Sequence, residues 1–263
     1  MTRTRRWWRA WVALWDGVEH PRSLALVRLL LGLVILWDFV EIARLDLVVA
    51  LFAGQPAGGL SDVATRTDPP WFVDLFGSSA LAARGLHAAI TFAAASFALG
   101  LFTRTSAVVL LLLWAQFARI LPAGDRGIDT LCRDVLVIFV FARGGDWLSI
   151  DAVRRTGSFW GDGAPIPAWP RRLLILQIVA MYFLAGIQKG GVHWYPMGHF
   201  AALYFILQDP AIARIDFRWL AHPPWFQLTQ LGSAVTILFQ DTYPTVLWLR
   251  WLRATADRGG RLR

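Results

Sequence analysis

In 263 residues the chain holds one cysteine, Cys132, and one lysine, Lys189. A single thiol excludes an internal disulfide framework and any cysteine-based zinc site. Charge is scarce too, at 17% of residues, where soluble domains carry roughly a quarter. With 56% hydrophobic residues, 15 Trp and 17 Phe, this scarcity excludes an ordinary soluble globule and indicates an integral membrane protein. There is no phosphate-cradling glycine loop, no His-Glu-x-x-His, no Ser or Cys nucleophile elbow and no internal repeat. Hydrolysis, phosphoryl transfer and metal chemistry therefore have no visible residues to perform them. His193 and His199, six apart in a loop, lack a chelating spacing, so no metal is expected.

The basic residues are 25 Arg and Lys189, for a net charge of +8. The arginines cluster between apolar runs, which is the work of membrane topology rather than of nucleic-acid binding. Lipids are the expected partner, and nucleic acid is not. The expected fold is all-α, a polytopic transmembrane helical bundle of about six spans with interfacial amphipathic helices. The spans are placed at 24–51, 81–102, 106–121, 128–142, 175–191 and 227–248. A further short amphipathic helix is expected near His199 to Leu207. Residues 1–22 alternate Arg with Trp and form an amphipathic interfacial segment at the cytoplasmic face. That segment lacks the apolar core of a removed signal peptide. Residues 23–249 form the transmembrane domain, and 250–263 an Arg-rich tail. With 16 of the 25 arginines then inside, both termini are expected in the cytoplasm of a multi-pass cell-membrane protein.

Ionisable groups inside a bilayer are costly, so each one is a candidate for function. Lys189 ends an apolar helix-length run, and an ammonium, unlike a guanidinium, can shed its proton when desolvated. It could equally snorkel to the interface. Tyr182, Ala185, Gly186 and Lys189 fall at 0, 3, 4 and 7, hence on one helical face. The small residues there leave room for another helix or for a ligand. Asp129 and Arg133, four apart, are expected to pair on one face of the fourth span. Glu41 and Arg44 are expected to pair on the first. Gln240 and Asp241 interrupt the sixth span, and His87 reads as a hydrogen-bonded core residue.

Four segments carry a resemblance to a known family. They are Ser23 to Leu33 with Arg28 and Gly32, Gly100 to Arg104, and Gly127 to Arg133 followed by Leu148-Ser149-Ile150-Asp151-Ala152. The fourth is Tyr182-Phe183-Leu184-Ala185-Gly186-Ile187-Gln188-Lys189 with Trp194. Together these resemble the HTTM (horizontally transferred transmembrane) domain, the membrane part of vitamin K-dependent gamma-carboxylase and its bacterial relatives. The resemblance implies that Lys189 is the base that deprotonates a reduced quinone, a vitamin K hydroquinone-like cofactor. It also implies Asp129 as charge partner or proton relay. Tyr182, Gly186, Trp194, Arg133 and Gln240 would then line the cofactor site, in an outward-opening cavity of the bacterial inner membrane.

Departures from the family pattern narrow the expectation. Asp129 stands where the carboxylase has His, and Gln240 where the family usually has Glu. The carboxylase's later helices and its lumenal substrate-binding region have no counterpart, so glutamyl carboxylation is not expected. The candidate functions are a quinol-dependent membrane enzyme, a non-enzymatic partner in bacterial peptide-toxin or secreted-peptide maturation, and a small transporter.

Overall fold

The computed structural model describes residues 5, 8, 9, 11, 12, 15–210, 213 and 215–260, with backbone only for 248 and 250–260. Most of the expected interfacial segment lies outside the described residues. The chain divides into two compact units, Met1–Leu174 and Ile175–Arg263.

In the first unit α1 (Arg22–Arg44) ends against Leu45 and is followed by a break at Asp46, where φ is +53°. Helix α2 (Val48–Phe52) then restarts the chain, so the first span stops at Arg44 and not at 51. A left-handed residue cannot continue a right-handed helix, and Asp is among the few side chains that adopt it readily. A short helix, α3 (Trp71–Phe76), follows. Helix α4 (Ala80–Leu99) begins with Ser79 accepting the amide of Ala82 and ends at Gly100, whose φ of +67° suits only glycine without strain. After a three-residue turn come α5 (Thr103–Ile120), α6 (Gly127–Phe141) and α7 (Ile150–Thr156). Strand β1 (Val18–Glu19) pairs antiparallel with β2 (Ile166–Pro167), Val18 opposite Pro167.

Helix α1 packs on α4, α4 on α5, and α5 on α6, while α2 covers α4. Close approach of α1 and α4 depends on Gly32, where an added Cβ would lie 2.6 Å from the Ala98 Cα. The core holds an aromatic cluster of Phe39, Phe52, Trp114 and Phe117, with Phe52 and Phe117 stacked at 4.4 Å. His87 joins it, with Nε2 2.8 Å from the Phe39 carbonyl oxygen, as a core histidine should.

Helix α8 (Trp169–Ile187) starts in the first unit, where Trp169, Leu173 and Leu174 pack on its core, and continues into the second. The second unit adds 3-10 turns at Val192–Trp194 and Pro196–Gly198, α9 (Ala202–Gln208), and α10 (Trp225–Gly260). Helix α9, close to where the sequence placed it, lies against α10, with the Leu203 amide donating to Ser233 Oγ at 2.9 Å. Helix α10 runs through the expected tail and contains Pro244, which has no amide proton for the carbonyl of Gln240 four residues earlier.

Among the described residues three helices are long and apolar enough to cross a membrane: α1, α4 and α8. Helix α6 has 15 residues, about 22 Å at the α-helical rise and short of a hydrocarbon core of about 30 Å.

Candidate functional site

The site in the second unit is built where α8 ends. Gly186 is buried against α10, and a Cβ there would meet Asp241 Oδ1 at 2.5 Å and Gln240 Cβ at 3.1 Å. The room beside this glycine is therefore filled by a helix, which is the packing alternative of the two read from the sequence. Close approach brings Gln240 within reach of the helix terminus. The helix closes with the Lys189 amide donating to the Gly186 carbonyl at 3.0 Å, which aims the side chain back along its own last turn.

Lys189 Nζ donates to Gln240 Oε1 at 2.7 Å and lies 3.4 Å from the Ala185 carbonyl oxygen. The amine also sits 5.0 Å from the centre of the Trp194 ring, within range of a cation–π contact. Gln240 is 8% exposed, and Lys189 is half-buried. The amine thus meets an amide oxygen, a carbonyl and an aromatic face and forms no ion pair among the described residues, while the Asp241 carboxylate lies beside Gly186 on the same seam. Tyr182, two turns back along α8, packs edge-on against Phe239 at 5.8 Å, and Phe239 stacks on Tyr243 at 5.0 Å. The structure therefore brings together Lys189, Gln240 and Trp194, with Tyr182 and Gly186 on the same α8–α10 seam.

Asp129 and Arg133 lie in the first unit, and they do not pair with each other. Asp129 is the third residue of α6 and reaches back to its N-cap, Oδ2 accepting the Arg126 amide at 2.9 Å and Nε at 3.0 Å. Its Oδ1 accepts Arg126 Nη2 at 2.8 Å, and that guanidinium also reaches Asp38 at 2.6 Å. Hydrogen bonding to Asp129, with further support from Asp38, holds the Arg126 guanidinium above its usual range. Arg133 instead makes a two-pronged pair with Asp125, both bonds 2.7 Å, beneath the Trp114 ring. The i, i+4 expectation fails because a carboxylate in the first turn finds the free helix amides and the N-cap side chain nearer than the next turn. Asp129→Asn is expected to lower stability by about 1–3 kcal/mol, since one acceptor oxygen is lost from a buried cluster; a thermal unfolding series in detergent measures it.

Arg28 entered the sequence reading only as part of the family resemblance. It is fully buried. Its Nη1 donates to the Gly144 carbonyl at 3.0 Å and its Nη2 to the Leu148 carbonyl. Beside it, Asp151 accepts the amides of Phe102 and Thr103 at 2.9 and 2.7 Å and the Thr103 hydroxyl at 2.8 Å. Ser149 donates to Gly145 at 2.6 Å and caps α7. Three of the four motif segments thus supply residues to one buried junction in the first unit. The signal was present in their order along the chain, but nothing in their spacing says that they meet.

The HTTM domain family model matches residues 18–223, a stretch that includes Arg28, Asp151, Lys189 and Trp194 and stops short of Gln240. No curated protein and no solved structure matches the chain.

Proposed function

Because this chain belongs to the HTTM domain family, a family of membrane proteins, we propose that it is a multi-pass protein whose Lys189 amine exchanges a proton with a lipid-soluble aromatic alcohol of the reduced-quinone class. Both termini then lie on the arginine-rich, cytoplasmic side. The observation that carries the reading is the 2.7 Å bond from Lys189 Nζ to Gln240 Oε1, made by an amine that forms no ion pair among the described residues. A carboxylate partner favours the charged amine, whereas an amide oxygen accepts from an N–H of either protonation state. Gln240 thus fixes the position of the amine, and the Trp194 ring face lies within cation–π range of it.

The residues present suit an aromatic headgroup. Trp194, Tyr182, Phe239 and Tyr243 offer ring faces and edges along the seam, and the amine offers the one basic side chain there. A reduced quinone lying against the outer edge of this seam, where Tyr182 and Phe239 are exposed, would supply an acidic phenolic hydroxyl. Lys189 takes the proton from that position, Gln240 keeps Nζ in place, and Trp194 with Tyr182 orients the ring. Asp129, with both oxygens held by Arg126, has a structural part in this scheme.

Lys189 is the sole lysine, so reductive ¹³C-methylation places one side-chain reporter on the protein besides the α-amine. In nanodiscs, titration with a reduced naphthoquinone should move that signal saturably, and Lys189→Ala should abolish the binding followed by tryptophan quenching. Gln240→Leu should weaken binding by about tenfold or more, the worth of a hydrogen bond to a group that becomes charged. A signal indifferent to the quinol, or an alanine variant that binds it as before, overturns the proposal and leaves the peptide-handling and transport readings to be tested.

A further inference from the structure

The junction around Arg28 has an outer surface that the proton chemistry does not use. Helix α4 is apolar enough to cross a membrane and ends at Leu99, so the Gly100–Phe102 turn lies at the edge of the hydrocarbon. In that turn Phe102 holds φ +46° and ψ +53°. The left-handed region is unfavourable for a bulky residue, and Gly or Asn would occupy it more cheaply. Packing does not explain the phenyl ring, which is 56% exposed. Asp151 pins the strained turn by accepting two of its amides, so the ring is held outward.

Above the Phe102 ring, at 4.4 Å from its centre, sits the guanidinium of Arg154 on α7. Arg104, the second residue of α5, is exposed, with contacts of 3.3 and 3.5 Å to the carbonyls of Ala142 and Phe141 at the end of α6. Trp160 and Phe159, 57% and 53% exposed, lie on the following loop, where Trp160 packs on Trp147 at 4.8 Å. The acids of this region are mostly turned inward. Asp151 is spent on the turn, and the buried Asp146 is shared by Arg143 and Arg155 at 2.6 and 2.9 Å. Asp162 is the exposed carboxylate among the described residues of this loop. The outward face is therefore basic and aromatic at the level where headgroups begin.

We propose that this face, centred on Phe102, Arg104 and Arg154 with Trp160, seats anionic phospholipid headgroups, the arginines taking the phosphates while the rings enter the interface. Arginine matches phosphate geometry in two-pronged fashion, aromatic rings favour the headgroup layer, and the anionic leaflet supplies the opposite charge.

The test uses the full chain purified in a zwitterionic detergent and read by native mass spectrometry with added phosphatidylglycerol or phosphatidylcholine. The parent should retain phosphatidylglycerol in preference. Arg104→Gln with Arg154→Gln should cut that retention about thirtyfold, at about one kcal/mol for each of the two charges near a surface, with phosphatidylcholine unchanged. Phe102→Asn should keep or raise the lipid-free unfolding midpoint, because it relaxes the turn, and should still lower phosphatidylglycerol retention. Equal retention of both lipids by the parent overturns the proposal. So does unaltered phosphatidylglycerol retention in the double variant, or a Phe102→Asn protein that unfolds earlier yet holds the lipid as before.

Discussion

Arg28→Met is expected to lower stability by about 4 kcal/mol, because two buried carbonyls lose their donor at about 1–3 kcal/mol each and a cavity is added. Replacing a buried ion pair by apolar residues is often harmless when both partners go. Here the partners are the backbone oxygens of Gly144 and Leu148, which no substitution removes. Buried Arg28 already leaves its Nε without a partner, so the side chain is held by the fork of its two terminal nitrogens alone. Arg28→Lys keeps the charge but not the fork, and should fall between parent and Met. Unfolding midpoints in detergent and the yield of folded protein give the measurement. A methionine variant within a degree or two of the parent would remove the junction from its assigned role.

The second large effect is at Gly100. An added Cβ would meet Ser149 Cβ at 2.4 Å and Arg28 Nη1 at 2.5 Å, at a φ of +67° that alanine adopts only with strain. Gly100→Ala should therefore cost about 2–4 kcal/mol, combining backbone strain with overpacking. Gly85→Ala is the control on the same helix. Nothing lies within 4 Å of its added Cβ, so it should stabilise by about 0.5–1 kcal/mol through helix propensity. The double variant of Gly100→Ala and Arg28→Met should be less destabilised than the sum, since both disturb one junction. Strict additivity would show that the two residues act separately.

How much of this was legible beforehand depended on the kind of signal. Apolar length placed α1, α4 and α8, because burial in lipid demands a run that any reader can count. The break at Asp46 was not legible, since its neighbours Leu45, Leu47 and Val48 keep the run apolar while the backbone turns away. Helical spacing put Tyr182, Gly186 and Lys189 on one face correctly, and could not say that Gln240, 51 residues on, would accept from the amine. The family resemblance put both residues at one cofactor site and named Asp129, not Gln240, as the partner of the amine. For Asp129 spacing misled: period 3.6 describes neighbours inside a helix, whereas a carboxylate at a helix start answers to the loop before it. The meeting of Arg28 with Gly144, Leu148 and Gly100 is a property of tertiary closure, for which local periodicity has no term.

Pro244 gives α10 a soft place at the turn that carries Gln240. With one rung of the ladder missing, the helix flexes there at little energetic expense, while Ser233 and Gly232 further back stay clamped to α9. The acceptor of the lysine thus stands at the break itself, at the end of the stretch whose earlier turns are held to α9.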